Sequence, residues 1–147
     1  MEVINKKYGL KFEVPDDFEE IPEKDYKRYN FDIASTVAVF VKFEKGVPTS
    51  ISINRDDTVN NEKDYLDLVS LNIRNMEAME MVVDQHIHTV NKIGRVDTIY
   101  SKFKGLKFVT YFTVVHKVMI ACSIEVKEIN DENDNIVAKL FESIEEI

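Results

Sequence analysis

The sequence is poor in the residues on which disulfide frameworks, phosphate-binding loops and membrane spans depend. Its 147 residues include one cysteine, four glycines, three prolines and no tryptophan. The one cysteine, Cys122, cannot form a disulfide within the chain, and its position in an apolar run predicts a buried, inert thiol. The longest apolar runs, such as residues 37–41 and 118–122, are far shorter than the roughly 20 residues of a membrane-spanning helix. The sequence therefore predicts no membrane span.

Positive charge is also scarce. Lys and Arg number 19 against 27 Asp and Glu, which gives a formal net charge of -8. Such a charge repels phosphate backbones, so no nucleic-acid partner is expected. The acidic excess is concentrated from residue 125 onward and indicates the solvated face of a helix, with a docking surface for a basic partner as the alternative. The first ten residues lack the pattern of a secretory signal, so we expect a cytoplasmic protein.

Hydrophobic alternation predicts most of the chain to be β-strand. Residues 8–14 alternate between apolar and polar side chains, which is typical of a half-buried strand, and Pro15 ends the pattern. Further strands are predicted at residues 36–44, 49–55, 84–91, 95–103, 106–115 and 118–126. Turns are predicted at residues 45–48, at Gly94, at Gly105 and near His116.

Two segments have the periodicity of amphipathic helices instead. Apolar residues recur at steps of three and four between residues 61 and 80, after several candidate N-caps and with acidic residues in the first turns. A second apolar stripe runs from Ile136 to Ile147 behind an acidic opening segment. The sequence therefore predicts one helix in the middle of the chain and one at its end.

These elements predict an α+β fold in a single domain, residues 1–147. The strands at 36–44 and 106–115 have apolar side chains on both alternating faces, so both faces of the sheet need a cover. Short connections between consecutive strands favour antiparallel pairing. We therefore expect an α/β/α sandwich in which a single, mainly antiparallel sheet of about six or seven strands has a helix on each face. The strand order stays open.

The opening of the chain and its order of elements resemble a known superfamily. Residues 8–20 read YGLKFEVPDDFEE and residues 141–144 read FESI. The first segment is similar to the start of PsbP/Mog-like domains, including the bacterial DcrB-like members, although Phe18 stands where many relatives carry tryptophan. The order of hairpin, helix, four-stranded meander and terminal helix is similar over nearly the whole chain. The resemblance implies a non-catalytic scaffold that binds proteins, and it assigns no functional residue here.

One row of side chains is a candidate metal site. Asp84, His86 and His88 are spaced two residues apart, so an ideal strand presents all three on one face, where imidazole and carboxylate could share a transition metal. In this interpretation Gln85 and Ile87 face the core, and the row faces solvent. The alternative is that the row is an ordinary solvated face of a strand.

No pattern of catalytic residues is recognisable, and no cofactor is implied. The chain has no nucleophile elbow and no glycine-rich phosphate loop. We therefore expect a protein that is not an enzyme but a non-catalytic module for an unidentified protein partner. The alternative is a domain that binds a small ligand or metal, in a pocket between the sheet and the first helix or at Asp84, His86 and His88. A buried ionisable group with a shifted pKa in a cleft would favour an enzyme.

Overall fold

The structure is a computed structural model that describes residues 1–44, 47–91, 94–115, 117–127 and 131–147. In chain order the elements are β1 (Glu2–Asn5), β2 (Leu10–Glu13), β3 (Glu19–Glu20), β4 (Thr36–Glu44), β5 (Val47–Thr58), α1 (Glu62–Ala78), β6 (Val82–Asn91), β7 (Gly94–Phe103), β8 (Leu106–Val115), β9 (Val118–Val126), α2 (Asp131–Ser143) and β10 (Glu145–Glu146). Two short 3-10 turns, Glu23–Asp25 and Lys27–Tyr29, precede β4. Of the turn predicted at residues 45–48, residues 45–46 lie outside the described residues, as does His116, whereas Val47 and Pro48 belong to β5, so the second half of that prediction is wrong.

Seven strands form one sheet in the order β3-β4-β5-β9-β8-β7-β6, and each neighbouring pair is antiparallel. The prediction of an α+β fold with a mainly antiparallel sheet of this size is confirmed. Hairpins join β6 to β7, β7 to β8 and β8 to β9, because the connections between these strands are short.

The prediction of a single sheet is wrong, because β2 belongs to a second, three-stranded sheet in the order β1-β2-β10. The apolar face that the alternation predicted is present: Leu10, Phe12 and Val14 are all buried. This face packs on the large sheet through side chains, with the ring of Phe12 edge-on to that of Phe40 at 6.0 Å. The alternation identified the strand correctly, but it carries no information on which strand lies beside it.

The terminal helix ends before the predicted stripe does. Helix α2 stops at Ser143, whose hydroxyl donates to the carbonyl of Leu140 and accepts from the backbone amide of Glu13. The chain then turns back to pair with β2 as β10, and Ile147 is exposed. The prediction that this helix extends to Ile147 is wrong, because backbone pairing with β2 replaces the last helical turn.

Helix α1 begins and ends with recognisable caps. The side chain of Asn61 accepts a hydrogen bond from the backbone amide of Asp64 at 2.9 Å. At the other end Glu80 adopts a left-handed conformation with φ 67°, and the amide of Met81 donates to the carbonyl of Met76 at 3.0 Å. This arrangement is a Schellman motif with glutamate in the position that usually holds glycine, and it ends the helix.

Two principal clusters make up the core. One contains Tyr65 and Val69 of α1 with residues of β7, β8 and β9, and the other contains Leu140 and Phe141 of α2 with β2 and the large sheet. Consecutive residues of β9 contribute to the clusters in turn, as the two-residue repeat of a strand requires. None of the helices in the described ranges has the length and apolar character needed to span a membrane.

Candidate functional site

The row of Asp84, His86 and His88 lies on β6, but the structure does not assemble it as predicted. A β-bulge at Asp84 shifts the register with β7 and breaks the two-residue alternation. Asp84 forms an ion pair with Lys102 at 3.6 Å, whereas His86 contacts a buried carboxylate on the neighbouring strand. The part of the chain that is described holds no group of three or more His, Cys, Asp or Glu side chains placed to bind a metal ion.

The expected orientation of this strand is correct in one part and wrong in the other: His86 and His88 are exposed as expected, but the side expected to face the core is exposed too. In the pairing with β7, His86 is opposite Ile99 and His88 is opposite Asp97, and Ile99 belongs to the core cluster around α1. Ile87, which was expected to face the core, is 38% exposed. The physical reason is that β6 is the last strand of the sheet and has no described neighbour on its outer side, so residues 84–90 are exposed on both faces.

Asp97 of β7 is the centre of the principal polar cluster, and its exposed fraction is 0%. Its carboxylate accepts hydrogen bonds from the Tyr65 hydroxyl at 2.7 Å, from Nε2 of His86 at 2.9 Å and from Nε of Arg95 at 3.1 Å. A further bond from Nη2 of Arg95 measures 3.3 Å. Both oxygens are therefore partnered, which is the condition under which a carboxylate can be buried without a large penalty.

Three elements position this Asp97 cluster. Tyr65 lies one turn after the N-cap of α1 and reaches down to the sheet. Arg95 and Asp97 are two residues apart on β7 and share a face, and His86 comes from β6. Nη1 of Arg95 also donates to Glu62 of α1 at 3.3 Å. The cluster thus connects the first turn of α1 to the two outermost strands at this end of the sheet.

Electrostatics fix the protonation states of Asp97, Tyr65 and Arg95. Burial by itself would raise the pKa of Asp97, but hydrogen bonds from Arg95, Tyr65 and His86 outweigh it, so that the pKa is lowered. Burial raises the pKa of Tyr65, and its hydrogen bond to Asp97 raises it further. The hydrogen bond to Asp97 likewise raises the pKa of Arg95. At neutral pH the cluster contains a carboxylate, a guanidinium and a neutral phenol.

This arrangement is suited to holding structure rather than to proton transfer. A carboxylate saturated by three donating side chains is a poor base, and a phenol whose pKa is raised is a poor nucleophile at neutral pH. The Tyr65 hydroxyl also lies 2.9 Å from the carbonyl of Phe112. Asp97 is therefore a buried ionisable group beside a cleft, but the hydrogen bonds within the cluster already occupy its carboxylate.

That cleft has a volume of about 370 Å³ and lies where the sequence predicted a pocket, between the sheet and the first helix. Its lining comprises Val59, Asn60, Asn61, Glu62, Tyr65, Gly94, Arg95, Thr113 and Val114. The guanidinium of Arg95 is held there by two carboxylates, so it is not available as a dedicated anion site. The walls favour a small, largely apolar, uncharged molecule.

Sequence reasoning missed Tyr65, Arg95 and Asp97 as a group. A usable signal was present for Asp97: an acidic residue between Val96 and Ile99 in a strand that enters the core needs partners. The sequence did not indicate those partners, because Tyr65 is 32 positions and His86 is 11 positions away from Asp97 along the chain.

The free edge of β6 is the second candidate functional feature. Among the described strands, β6 pairs with β7 alone. Charges, prolines and bulges are the usual protections of a sheet edge. Strand β6 has a charge and a bulge at Asp84, near its start, whereas residues 85–91 contain no charge and no proline, and Val90 is 79% exposed. The opposite edge is different, because the two-residue strand β3, formed by Glu19 and Glu20, covers part of β4.

The predicted burial of Cys122 is confirmed. Its thiol is free and fully buried, and burial raises its pKa to about 12. A thiol in this state is protonated at neutral pH and is a poor nucleophile.

Comparison of the whole architecture with solved structures shows its relatives in fold. The solution structure of the cyanobacterial PsbP protein CyanoP from Synechocystis superposes with a TM-score of 0.68 over 100% of this chain and 92% of that one, at 12% sequence identity. The protein has a PsbP-like fold. The resemblance inferred from the opening segment and the order of elements is therefore confirmed at the level of structure.

A second solved structure is less similar. A crystal structure from Bacteroides thetaiotaomicron matches with a TM-score of 0.52 at 14% identity, covering 99% of this chain but 48% of that one. The sequence matches no protein-family model and no curated protein. At these identities the likeness concerns the fold alone.

Proposed function

We propose that this protein is a non-catalytic interaction module that takes up an extended segment of a protein partner along β6. The observation that carries the proposal is the open edge of that strand. A row of unpaired backbone amides and carbonyls on an exposed strand is a template for another chain, whose main-chain hydrogen bonds supply affinity. Exposed Val90 and Ile87 offer apolar contacts for its side chains.

The Asp97 cluster supports this role by holding the edge in place. His86 of β6 is bonded to a carboxylate that Tyr65 and Arg95 also hold. An edge strand fixed in this way loses less conformational freedom when a partner adds to it, and pre-organisation of that kind increases affinity.

We also infer that α1 and α2 lie on opposite faces of the large sheet, as an α/β/α sandwich. The alternation along β9 supports this arrangement, because Met119 packs in the cluster around α1, whereas Ile120 and Cys122 pack in the cluster with α2. Successive strand residues point to opposite faces. With both faces covered, the backbone of the sheet is accessible at its edges, and β6 forms one of them.

Affinity capture with edge variants tests the proposal. Immobilised wild-type protein, Val90→Lys and Leu71→Lys are exposed to an extract of the source cells, and bound proteins are quantified by mass spectrometry. Val90→Lys places a charge on the edge, whereas Leu71, which is 43% exposed on α1, is a matched control. We expect a partner retained by the wild type and by Leu71→Lys and lost with Val90→Lys. Equal retention by Val90→Lys, or no retained protein at all, contradicts the proposal.

A second candidate function is the binding of a small uncharged ligand in the cleft beside Tyr65. The observation that favours it is the combination of about 370 Å³ of space with apolar walls and a few fixed polar groups. Methyl NMR spectra of Val59 and Val114 during a fragment screen test it. Shifts confined to these methyls support the candidate, and a screen in which neither moves rules it out.

We further propose that the protein acts in the cytoplasm. The support is its cysteine usage: the one thiol, Cys122, is free and buried, whereas small domains of oxidising compartments are commonly held by disulfides. Fractionation of the source cells followed by immunodetection checks this location.

A further inference from the structure

A concavity lined by lysines adjoins the start of the open edge. It has a volume of about 440 Å³, and its lining comprises Glu80, Val82, Lys102, Phe103, Lys104, Gly105, Leu106, Lys107 and Lys127. Val82 is also the first residue of β6. The edge strand therefore leads directly into a site whose described lining contains four lysines and one glutamate.

This concentration of positive charge is against the trend of the molecule, whose formal net charge is -8. Two of the lysines, Lys102 and Lys104, make their contacts as exposed side chains. Nζ of Lys102 is 3.6 Å from Asp84, and Nζ of Lys104 lies 5.0 Å from the centre of the Phe103 ring. An ammonium group has three donors, and an exposed ion pair is weak, so these contacts leave Lys102 and Lys104 able to bind further carboxylates.

We infer that the partner segment is acidic at its carboxyl-terminal end and that Lys102, Lys104 and Lys127 bind that end. The inference rests on the proposed function, in which the segment adds to β6. Its charge follows from complementarity with the lysines, because rows of opposite charge steer encounter and fix register.

The polarity of the segment follows from the direction of the strands. Every described pair in the large sheet is antiparallel, and antiparallel addition is the slightly more stable mode. Because β6 runs from Val82 to Asn91, an antiparallel segment runs toward Val82. Its carboxyl-terminal residues therefore pass the beginning of β6 and reach the concavity.

Designed peptides test this inference by fluorescence anisotropy. The probe is a labelled peptide of alternating threonine and valine that ends in a run of glutamates. The comparison peptides carry the glutamates at the amino terminus, or glutamines in their place. We expect the first peptide to bind most tightly and its affinity to fall as salt is added. Equal affinity for all peptides, or no binding of the first, overturns the inference.

Protein variants separate the inference from the proposed function. Lys104→Gln with Lys127→Gln should weaken binding of the glutamate-tailed peptide about tenfold, at about threefold for each exposed pair. Lys24→Gln with Lys27→Gln, in the 3-10 turns, is the matched control and should leave affinity unchanged.

The edge variant Val90→Lys distinguishes the two failures. If it abolishes binding while the Lys104/Lys127 variant binds like the wild type, strand addition stands and the acidic end is refuted. If it binds like the wild type, strand addition to β6 is refuted, and the inference fails with it.

Discussion

Removal of the buried charge of Asp97 should destabilise the protein more than removal of any exposed acid. Asp97→Asn keeps the size of the side chain but leaves the guanidinium of Arg95 without its buried counter-charge. Breaking a buried ion pair from one side costs about 3–5 kcal/mol. In this variant Arg95 keeps its ion pair with Glu62 at 3.3 Å and is partly hydrated. We therefore expect a loss of stability at the lower end of this range, about 3 kcal/mol.

Urea unfolding measures this loss directly. The free energy of unfolding follows from the transition midpoint and the slope, which should stay unchanged. In thermal unfolding the same loss corresponds to about 10 °C for a domain of this size. The control is Asp84→Asn, because the Asp84 side chain is 48% exposed in its ion pair with Lys102 and should contribute less than about 1 kcal/mol.

A loss for Asp97→Asn that equals the loss for Asp84→Asn would refute the reasoning. Tyr65→Phe provides a second check, since it removes one hydrogen bond to the same carboxylate and should cost about 2 kcal/mol. If the three donors act on one charge, the Tyr65→Phe and Asp97→Asn losses are not additive in the double variant. Strict additivity would mean that the hydroxyl and the carboxylate do not interact.

Three further predictions concern acid, thiol chemistry and the second core cluster. The pKa of Asp97 is lowered from an ordinary value of 3.8, so its charge stabilises the fold above that value and the benefit is lost as pH falls through the folded-state pKa. The difference in the free energy of unfolding between the wild type and Asp97→Asn, measured by urea titration, should therefore become smaller as the pH falls from about 5 to about 2. A difference that stays constant over this range contradicts the prediction. Cys122 should react with a thiol reagent only as fast as the protein opens, since burial raises its pKa to about 12, and rapid reaction of the native protein contradicts its burial. Phe141→Ala should cost about 3–5 kcal/mol in urea unfolding, because the ring is buried 5.4 Å from that of Tyr111. A cost below about 1 kcal/mol would mean that α2 is not packed as described.

The positions of the main strands and of the first helix could be predicted from the sequence because their signals are local. Strands β8 and β9 occupy the predicted residues, and α1 differs from its prediction by one residue at the start and two at the end. Alternation with a period of two and apolar spacing of three and four are properties of consecutive residues. The order of these elements also sufficed for the resemblance that the structure comparison confirmed.

Features that depend on distant residues could not be predicted in the same way. The second sheet needs β10, two residues long, to meet β2 across the whole chain. The bulge at Asp84 changes which side chains share a face, and no periodicity in that strand indicated it. The candidate metal row was affected most by the bulge, since its geometry depended on ideal alternation.

The sequence by itself determined the local conformations and the apolar faces, because backbone sterics and the burial of side chains act within a few residues. Only the tertiary structure decided that Asp97 meets Tyr65 and His86, and that β6 lies at the edge of the sheet. Those outcomes depend on strand order, which is set by the combined packing of all the elements and not by the pattern of any one of them.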